Sequence, residues 1–503
     1  MLKYEILWTL HTVTNHLSYN SANKSSALFP VMFPNSPIAK KFTCASTKCA
    51  YLATFRLAPY FQQLLTEQLK EVPFYSLAFD ESFNHITKKS QMDFNVRFWD
   101  ASKNKIVDRY LFSRFLGHAT AENLLNEFKV GTSMLDMSKL IQVSMDGPNV
   151  NHKNLEKLIT ERSDLYPQFN DLIDIGSCSL HVMHGGFKTA FQATGWAIEK
   201  ILRSLWYLFK ESPARREDFT TITGSTKFPL QFCGTRWVED VRVAERAVSL
   251  WPFIEKYVSI TSKWPKAKVP QCSSYKEVSA AVKDKLILVK FSFFITVAKL
   301  IQPFLVIFQS EKPMVPFLGQ EIAKLLKAMM ENFMKKDSLP ENISLSSLLK
   351  VDVKSRSRHL SIEKVFIGFN TKCILSEVEI SDEQKVLFKE ECVRCYTTLI
   401  NKIKERSPLK FEFVRQLSCL CPNYMVQHPN STIAKFEKVL TLMMSKKYLN
   451  GDECDELRKQ FKCFVRSLKY ERCEMFRQFN LHTSSLDDLF YTTVGSNEEY
   501  KKL

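Results

Sequence analysis

The spacing of hydrophobic positions changes twice along this chain, and the changes divide it into three regimes. In residues 1–72 apolar side chains recur every three or four positions, in Glu5–Leu10 and again in Tyr60–Leu69, which predicts amphipathic helices. Between them, Leu28-Phe29-Pro30 and Met32 to Pro37 read as a proline-punctuated loop. From residue 73 the period shortens to two. Phe74–Phe79, Met92–Trp99 (apolar at Met92, Phe94, Val96 and Phe98) and Ile106–Phe115 predict three strands, with connections short enough for an antiparallel meander. Thr120 is placed to cap a helix running to about Leu135. A buried strand, Leu140–Met145, then stops on Asp146-Gly147-Pro148-Asn149. A helix over Asn151–Thr160, a strand over Leu172–Ile175 and a long helical stretch from His181 to Phe209 follow. From Arg236 the pattern is helical: Arg236–Tyr257, Tyr275–Gln309, Val315–Lys335, Ser381–Ser407 and Thr432–Leu449, separated by Pro, Ser or Asn-Gly.

Three antiparallel strands followed by alternating helices and strands is the ribonuclease-H-like order. It predicts an α/β core over 73–250, preceded by a helical region over 1–72. An all-α domain over 251–490, inserted into that fold, and a tail over 491–503 complete the chain. In this order the strand that ends at Asp146 lies beside the strand that carries Asp80. Open α/β sheets place ligands and chemistry at the C-terminal tips of strands. Two-metal phosphoryl transfer needs carboxylates converging on cations about 3.5–4 Å apart, and hard oxygen ligands suit Mg²⁺. Asp80 and Asp146 are therefore the candidate catalytic and Mg²⁺-binding acids. The competing reading makes each a turn-former or helix cap.

Charge adds an argument about partners. Lys and Arg number 70 against 53 Asp and Glu, a net +17 over 503 residues, which favours nucleic acid or an anionic surface. Only 13 glycines are present, few for tight turns, in keeping with a largely helical chain. The 13 cysteines are odd in number, and Met1–Thr9, with Lys3 and Glu5, does not read as a signal peptide. Reduced thiols in a nuclear or cytoplasmic protein are expected. Leu286–Phe308 is interrupted by Lys290, Lys299 and Gln302-Pro303, so it reads as a buried helix, and no membrane association is expected.

Four motifs carry further chemistry. Cys178-x-x-His181-x-x-His184 offers zinc-ligand types. The remaining candidates, His152 and Cys233, are remote in sequence, and local packing is the expected role. Cys392-x-x-Cys395 and Cys419-x-Cys421 lack zinc-ribbon spacing and read as buried thiols, so no zinc site is predicted. In Arg236-Trp237 the tryptophan is either core or site and the arginine either structural or a phosphate contact; spacing leaves both open. Lys354, Arg356 and Arg358 form a basic run in a polar loop, either solvated or a phosphate-contact and nuclear-import patch.

Together these stretches resemble the hAT transposase superfamily, in particular its transposon-derived, host-resident members. Leu77-Ala-Phe-Asp80-Glu-Ser is similar to the first catalytic acid's context and Ser144-Met-Asp146-Gly-Pro-Asn149-Val-Asn to the second's. Cys178-Ser-Leu-His181 is similar to the Cys-x-x-His element and Thr235-Arg236-Trp237 to the Arg-Trp element. Phe42–Tyr51, Phe115–Glu122 and Pro213–Phe219 share the look of this lineage. The resemblance implies a ribonuclease-H-like core with a large helical insertion after Arg-Trp. It also implies Mg²⁺-dependent DNA cleavage and strand transfer by an Asp-Asp-Glu triad. Glu471, Glu474, Glu498 and Glu499 are present, but none stands in the sequence context of the family's third acid. No BED-type finger and no C-terminal dimerisation helix is found, so the chain reads as truncated and dimerisation is not expected. The expectation is a transposase-derived protein that binds DNA with little sequence preference, through Arg236, Lys354, Arg356, Arg358 and other cations, without full transposition activity. Its rivals are an active Mg²⁺-dependent hAT-type transposase and a scaffold for protein partners.

Overall fold

A computed structural model describes residues 1–118, 120–147, 149–340, 345–468, 473–495 and 500. The chain divides into two compact units. The first holds residues 1–103, 107–143 and 153–161; the second holds 104–106, 144–152 and 162–503.

The first unit is built on a mixed four-stranded sheet of β1 (Tyr75–Asn84), β2 (Lys89–Asp100), β3 (Lys105–Leu116) and β4 (Leu140–Ser144), in the order β3-β2-β1-β4. The three expected meander strands are all present and longer than their hydrophobic stretches. β1 and β2 pair antiparallel with Leu77 opposite Val96, Phe79 opposite Phe94 and Asp80 opposite Asp93. Their turn is closed by Asn84, whose Oδ1 accepts the N–H groups of Ile86 and Thr87. Period-two alternation buries Leu77, Phe79, Met92, Phe94 and Val96 on one face. The helix Ala121–Thr132 is capped by Thr120, as its sequence predicts, and buries Leu124, Leu125 and Phe128. Phe94 stacks on Phe112 at 4.5 Å and meets Phe128 at 5.7 Å. Gly131 lets this helix approach the Phe112 ring, where a Cβ would collide.

The N-terminal segment supplies the helices Leu2–Thr14, Tyr19–Met32, Ser46–Leu52 and Ala58–Glu71. The loop expected at 28–37 is corrected in part. Pro30 lies inside Tyr19–Met32, one turn from its end, where the helix can lose a donor and still close through Phe33 N–H to Phe29 O at 2.9 Å. Ser36 then caps a short helix, Pro37–Lys41, with Pro37 in its first turn.

The second unit is helical. Ser179–Gln192, Ile198–Lys210, Val241–Thr261, Ile287–Phe308, Val315–Glu331 and Asp382–Arg406 share one hydrophobic core. Phe187 meets Phe294 edge-on at 4.9 Å, Trp251 meets Phe291 at 5.7 Å, and Tyr396 meets Phe293 at 5.4 Å. Cys392, Cys395, Cys419 and Cys421 are buried, as expected of packing thiols. A smaller core gathers Phe461, Phe464, Phe476 and Leu486.

Three elements differ from their sequence pattern. The stretch from His181 to Phe209 is two helices, because Gly195 (φ 77°) and Ala197 (φ 51°) turn the chain in the left-handed region. Tyr275–Gln309 is also two, Ser273–Val282 and Ile287–Phe308, with the Leu286 N–H captured by Asp284 Oδ1 at 2.9 Å. Leu172–Ile175 is not a strand. Asp171 donates its N–H to Lys446 O at 3.2 Å and accepts from the Tyr448 hydroxyl at 2.9 Å, so the turn after the helix Pro429–Ser445 takes the backbone groups just before this run.

Ile287–Phe308 is long and apolar enough to cross a membrane by length and composition. Half of its most apolar window is buried. Phe291, Phe293, Phe294, Val297, Ala298 and Ile301 are fully enclosed, which is the burial expected of a core helix.

Candidate functional site

Asp80 sits where β1 passes from buried to exposed positions. The odd-numbered residues Tyr75, Leu77 and Phe79 face the core, so Asp80 falls on the opposite face, and it is exposed. Directly opposed residues of an antiparallel pair share a face. Asp80 therefore shares its face with Asp93, whose Oδ1 accepts hydrogen bonds from Gln91 Nε2 at 2.7 Å and from the Ser113 hydroxyl. Arg97 and Asp108, joined by two hydrogen bonds of 2.9 and 2.6 Å, extend the polar character along the strands. The sequence reading missed Asp93. The alternation of Met92, Phe94 and Val96 already put it on the polar face, but only the hairpin register sets it against Asp80.

Asp146 follows β4 by two residues and belongs to the second unit. There the segment Met145–Gly147 meets the start of the helix Ser179–Gln192: Cys178 N–H donates to Met145 O at 3.2 Å. Asn151 Nδ2 donates to Asp146 Oδ1 at 2.5 Å, and Ser177 Oγ lies 3.1 Å from His152 Nε2. The Met145–Gly147 segment and the Ser177–Cys178 start of the Cys-x-x-His element thus lie together. Burial pushes the Cys178 thiol up, but hydrogen bonds from the His181 side chain and from the N–H groups of His181 and Leu180 outweigh it and hold the thiol below its usual range.

One turn further along the helix, His184 is buried. Its Nδ1 accepts the Val238 N–H at 3.3 Å, and its Nε2 is 3.9 Å from Glu239. Burial lowers its pKa to about 4, so the ring is neutral at pH 7. The Arg-Trp element is next to it. Trp237 is core: it is buried, its indole N–H is satisfied by Gly234 O at 3.1 Å, and Phe232 meets it edge-on at 5.2 Å. Arg236 is exposed and forms a long ion pair with Glu239 at 3.9 Å. The element begins as a 3₁₀ turn, Trp237–Asp240, rather than as the first turn of the helix Val241–Thr261.

Lys354, Arg356 and Arg358 are all exposed; the expected loop contains a 3₁₀ turn, Arg356–Arg358, and is firmly anchored. Lys335 N–H donates to Arg358 O at 2.8 Å, Leu360 N–H to Phe333 O at 2.8 Å, and Lys335 Nζ to Ser357 O at 2.7 Å. His359 Nε2 closes the loop on Val353 O at 2.9 Å. These bonds hold the backbone and leave the cationic side chains outward.

Of the glutamates considered for a third acid, Glu474 accepts a 2.6 Å bond from Gln478 on an exposed helical turn. Glu471, Glu498 and Glu499 lie outside the described residues. Among the described residues no three His, Cys, Asp or Glu side chains come together to hold a metal ion. Comparison with protein-family models and with curated proteins gave no match.

Proposed function

We propose that this chain is a transposase-derived nucleic-acid-binding protein that does not perform full DNA cleavage and strand transfer. The observation that carries the reading is the basic loop. Lys354, Arg356 and Arg358 project from a backbone pinned to Phe333 and Lys335, in a chain of net charge +17. A held backbone presents cations to phosphates with less ordering cost than a free loop, and Arg offers a planar fork that matches a phosphate. Arg236 adds a further exposed cation. The sheet order supports the descent: β4 neighbours β1, Asp80 stands on β1 and Asp146 just beyond β4. Carboxylate oxygens suit Mg²⁺, but the described donor set does not assemble a three-ligand site, so no catalytic step is derived from it.

The test is a fluorescence-anisotropy titration with duplex and single-stranded DNA at several salt concentrations. The logarithm of affinity should fall linearly with the logarithm of salt. Replacing Lys354, Arg356 and Arg358 by Ala should reduce the slope by about 2–3, since each phosphate contact contributes roughly 0.9. Absence of binding at low salt overturns the reading. A nicking assay on hairpin and terminal-repeat DNA with Mg²⁺ or Mn²⁺ addresses catalysis. Cleavage that Asp146→Ala abolishes restores the active-transposase alternative.

A further inference from the structure

The N-terminal helices of the first unit bury little and expose much. Their own core is thin: Ala22, Cys44, Cys49 and Leu52, with Trp8 and Phe42 packed against it. Around it large apolar side chains stand in solvent, among them Leu7 (52%), Leu28 (54%), Val31 (76%), Met32 (60%) and Phe33 (53%). Scattered exposed hydrophobics need no explanation, but a contiguous set on neighbouring helices marks an interaction surface. Two of them, Leu7 and Phe33, line an open groove of about 390 Å³ together with Tyr4 and Ile38. Trp8, Phe29 and Phe42 form its floor, with ring centroids 5.0 to 6.3 Å apart and edge-to-face geometry, and Leu7, Phe33 and Ile38 form its rim.

Charge selects the occupant. The surroundings are basic: over residues 1–58 the charged side chains are Lys3, Lys24, Lys40, Lys41, Lys48 and Arg56 against Glu5 alone. Glu5 is buried and paired with Lys48 at 2.5 Å, so it offers no exposed negative charge. An aromatic cage can also take a cationic ligand, but the flanking lysines repel one. They equally disfavour a second copy, whose identical patch would bring its own lysines to the contact.

We propose that this groove is the docking site for an acidic amphipathic helix of a partner protein. Its apolar stripe fills the Trp8–Phe29–Phe42 floor, and its Asp and Glu side chains face Lys3, Lys40 and Lys41. The volume accommodates a few large side chains at i, i+3 and i+4, the helix-in-groove mode. The site is separate from the basic loop that carries the nucleic-acid reading, and either can fail alone.

The probe is a fluorescein-labelled 18-residue helical peptide with Leu and Phe at i, i+3, i+4 and i+7 and Glu elsewhere. Two controls accompany it: a scrambled peptide of the same composition without the stripe, and one with Lys for Glu. The full chain should bind the first peptide and neither control. Leu7→Asp, at an exposed rim position that folding does not need, should weaken binding by about tenfold or more. Lys40→Glu with Lys41→Glu should weaken it and flatten its salt dependence. Thermal melts of both variants should match the parent, and the Lys354, Arg356, Arg358 triple variant should bind the peptide as the parent does. Equal binding of the scrambled or the Lys peptide overturns the proposal, as does no binding of the Glu peptide. Self-association of the chain that Leu7→Asp abolishes also overturns it, by showing that a second copy is the occupant.

Discussion

Asp240 is held by one oxygen only: Cys233 N–H donates to its Oδ1 at 2.8 Å, while Oδ2 is buried with no hydrogen-bond partner among the described residues. A carboxylate with one oxygen unsatisfied in an apolar setting prefers to keep its proton. Burial accordingly raises its pKa to about 7; the Cys233 N–H and Arg203 pull it down, and Glu239 and Glu199 push it up.

That shift fixes the sign of a pH dependence. Between the unfolded value of 3.8 and the folded value of about 7, the folded protein binds more protons, so stability falls as pH rises through this window. The contribution is complete below pH 4 and lost above pH 7. At about 1.4 kcal/mol per unit its ceiling is on the order of 4 kcal/mol. Asp240→Asn, which mimics the protonated carboxyl, should remove this slope. Urea melts of parent and variant at half-unit steps from pH 4.5 to 8 measure it, and parallel curves would show that Asp240 does not titrate in the window.

His184 should act in the opposite sense. Its folded pKa lies near 4, below its usual 6.5, so the folded state binds fewer protons between those values. Its share of stability is present above pH 6.5 and lost as pH falls toward 4. His184→Phe should flatten this acid limb and leave the Val238 N–H without its acceptor, at a cost of about 1–3 kcal/mol at pH 7. The His184 ring signals in an NMR titration give the pKa directly, and a value above 6 removes the effect.

How much of this was legible in the sequence follows from where the determining forces are local. The meander strands were, because Met92, Phe94, Val96 and Phe98 alternate; so was the Thr120 cap, whose partner is three residues away. The Leu172–Ile175 error arose because a short apolar run does not reveal which partner takes its backbone, and Lys446 and Tyr448 are some 270 residues distant. The break after Ala193 depends on two left-handed residues, of which only Gly195 is a visible signal. At the candidate site, Asp146 was visible as an acid just past a strand end, whereas Asp80, expected at a strand end, lies inside β1, which pairs on to Asn84. Asp93 and Asp240 were not visible, since the first needs the hairpin register and the second needs burial.

The cysteines offer a labelling test of burial and local field. Cys233 is exposed. Burial raises its thiol, but the Thr235 hydroxyl and the N–H groups of Thr235 and Arg236 together outweigh it and bring the thiol below the usual range. Burial pushes Cys392, Cys395, Cys419 and Cys421 well up. The thiolate is the reactive form, so brief iodoacetamide treatment at pH 7.5 should modify Cys233 first and these four only in urea. Peptide mass spectrometry reads the order. Early modification of Cys392 or Cys395 would mean that the core of the second unit opens readily.

The polar face of the sheet gives a prediction that separates a site from a scaffold. Asp80 and Asp93 stand opposite each other on β1 and β2, where like groups disfavour pairing by about 0.2–1 kcal/mol. Asp93 has a structural use, as acceptor for Gln91 and Ser113, whereas Asp80 is exposed on the strand. Asp80→Asn should therefore raise the unfolding free energy by roughly 0.5 kcal/mol, and Asp93→Asn should lower it by about 1 kcal/mol through its lost acceptor. If the pair recruits a divalent cation, 5–10 mM Mg²⁺, roughly the concentration needed for a weak exposed site, should stabilise the parent more than Asp80→Asn. Denaturant melts with and without Mg²⁺ read both effects. A destabilised Asp80→Asn would place Asp80 among the residues that hold the sheet together and remove the case for it as a functional acid.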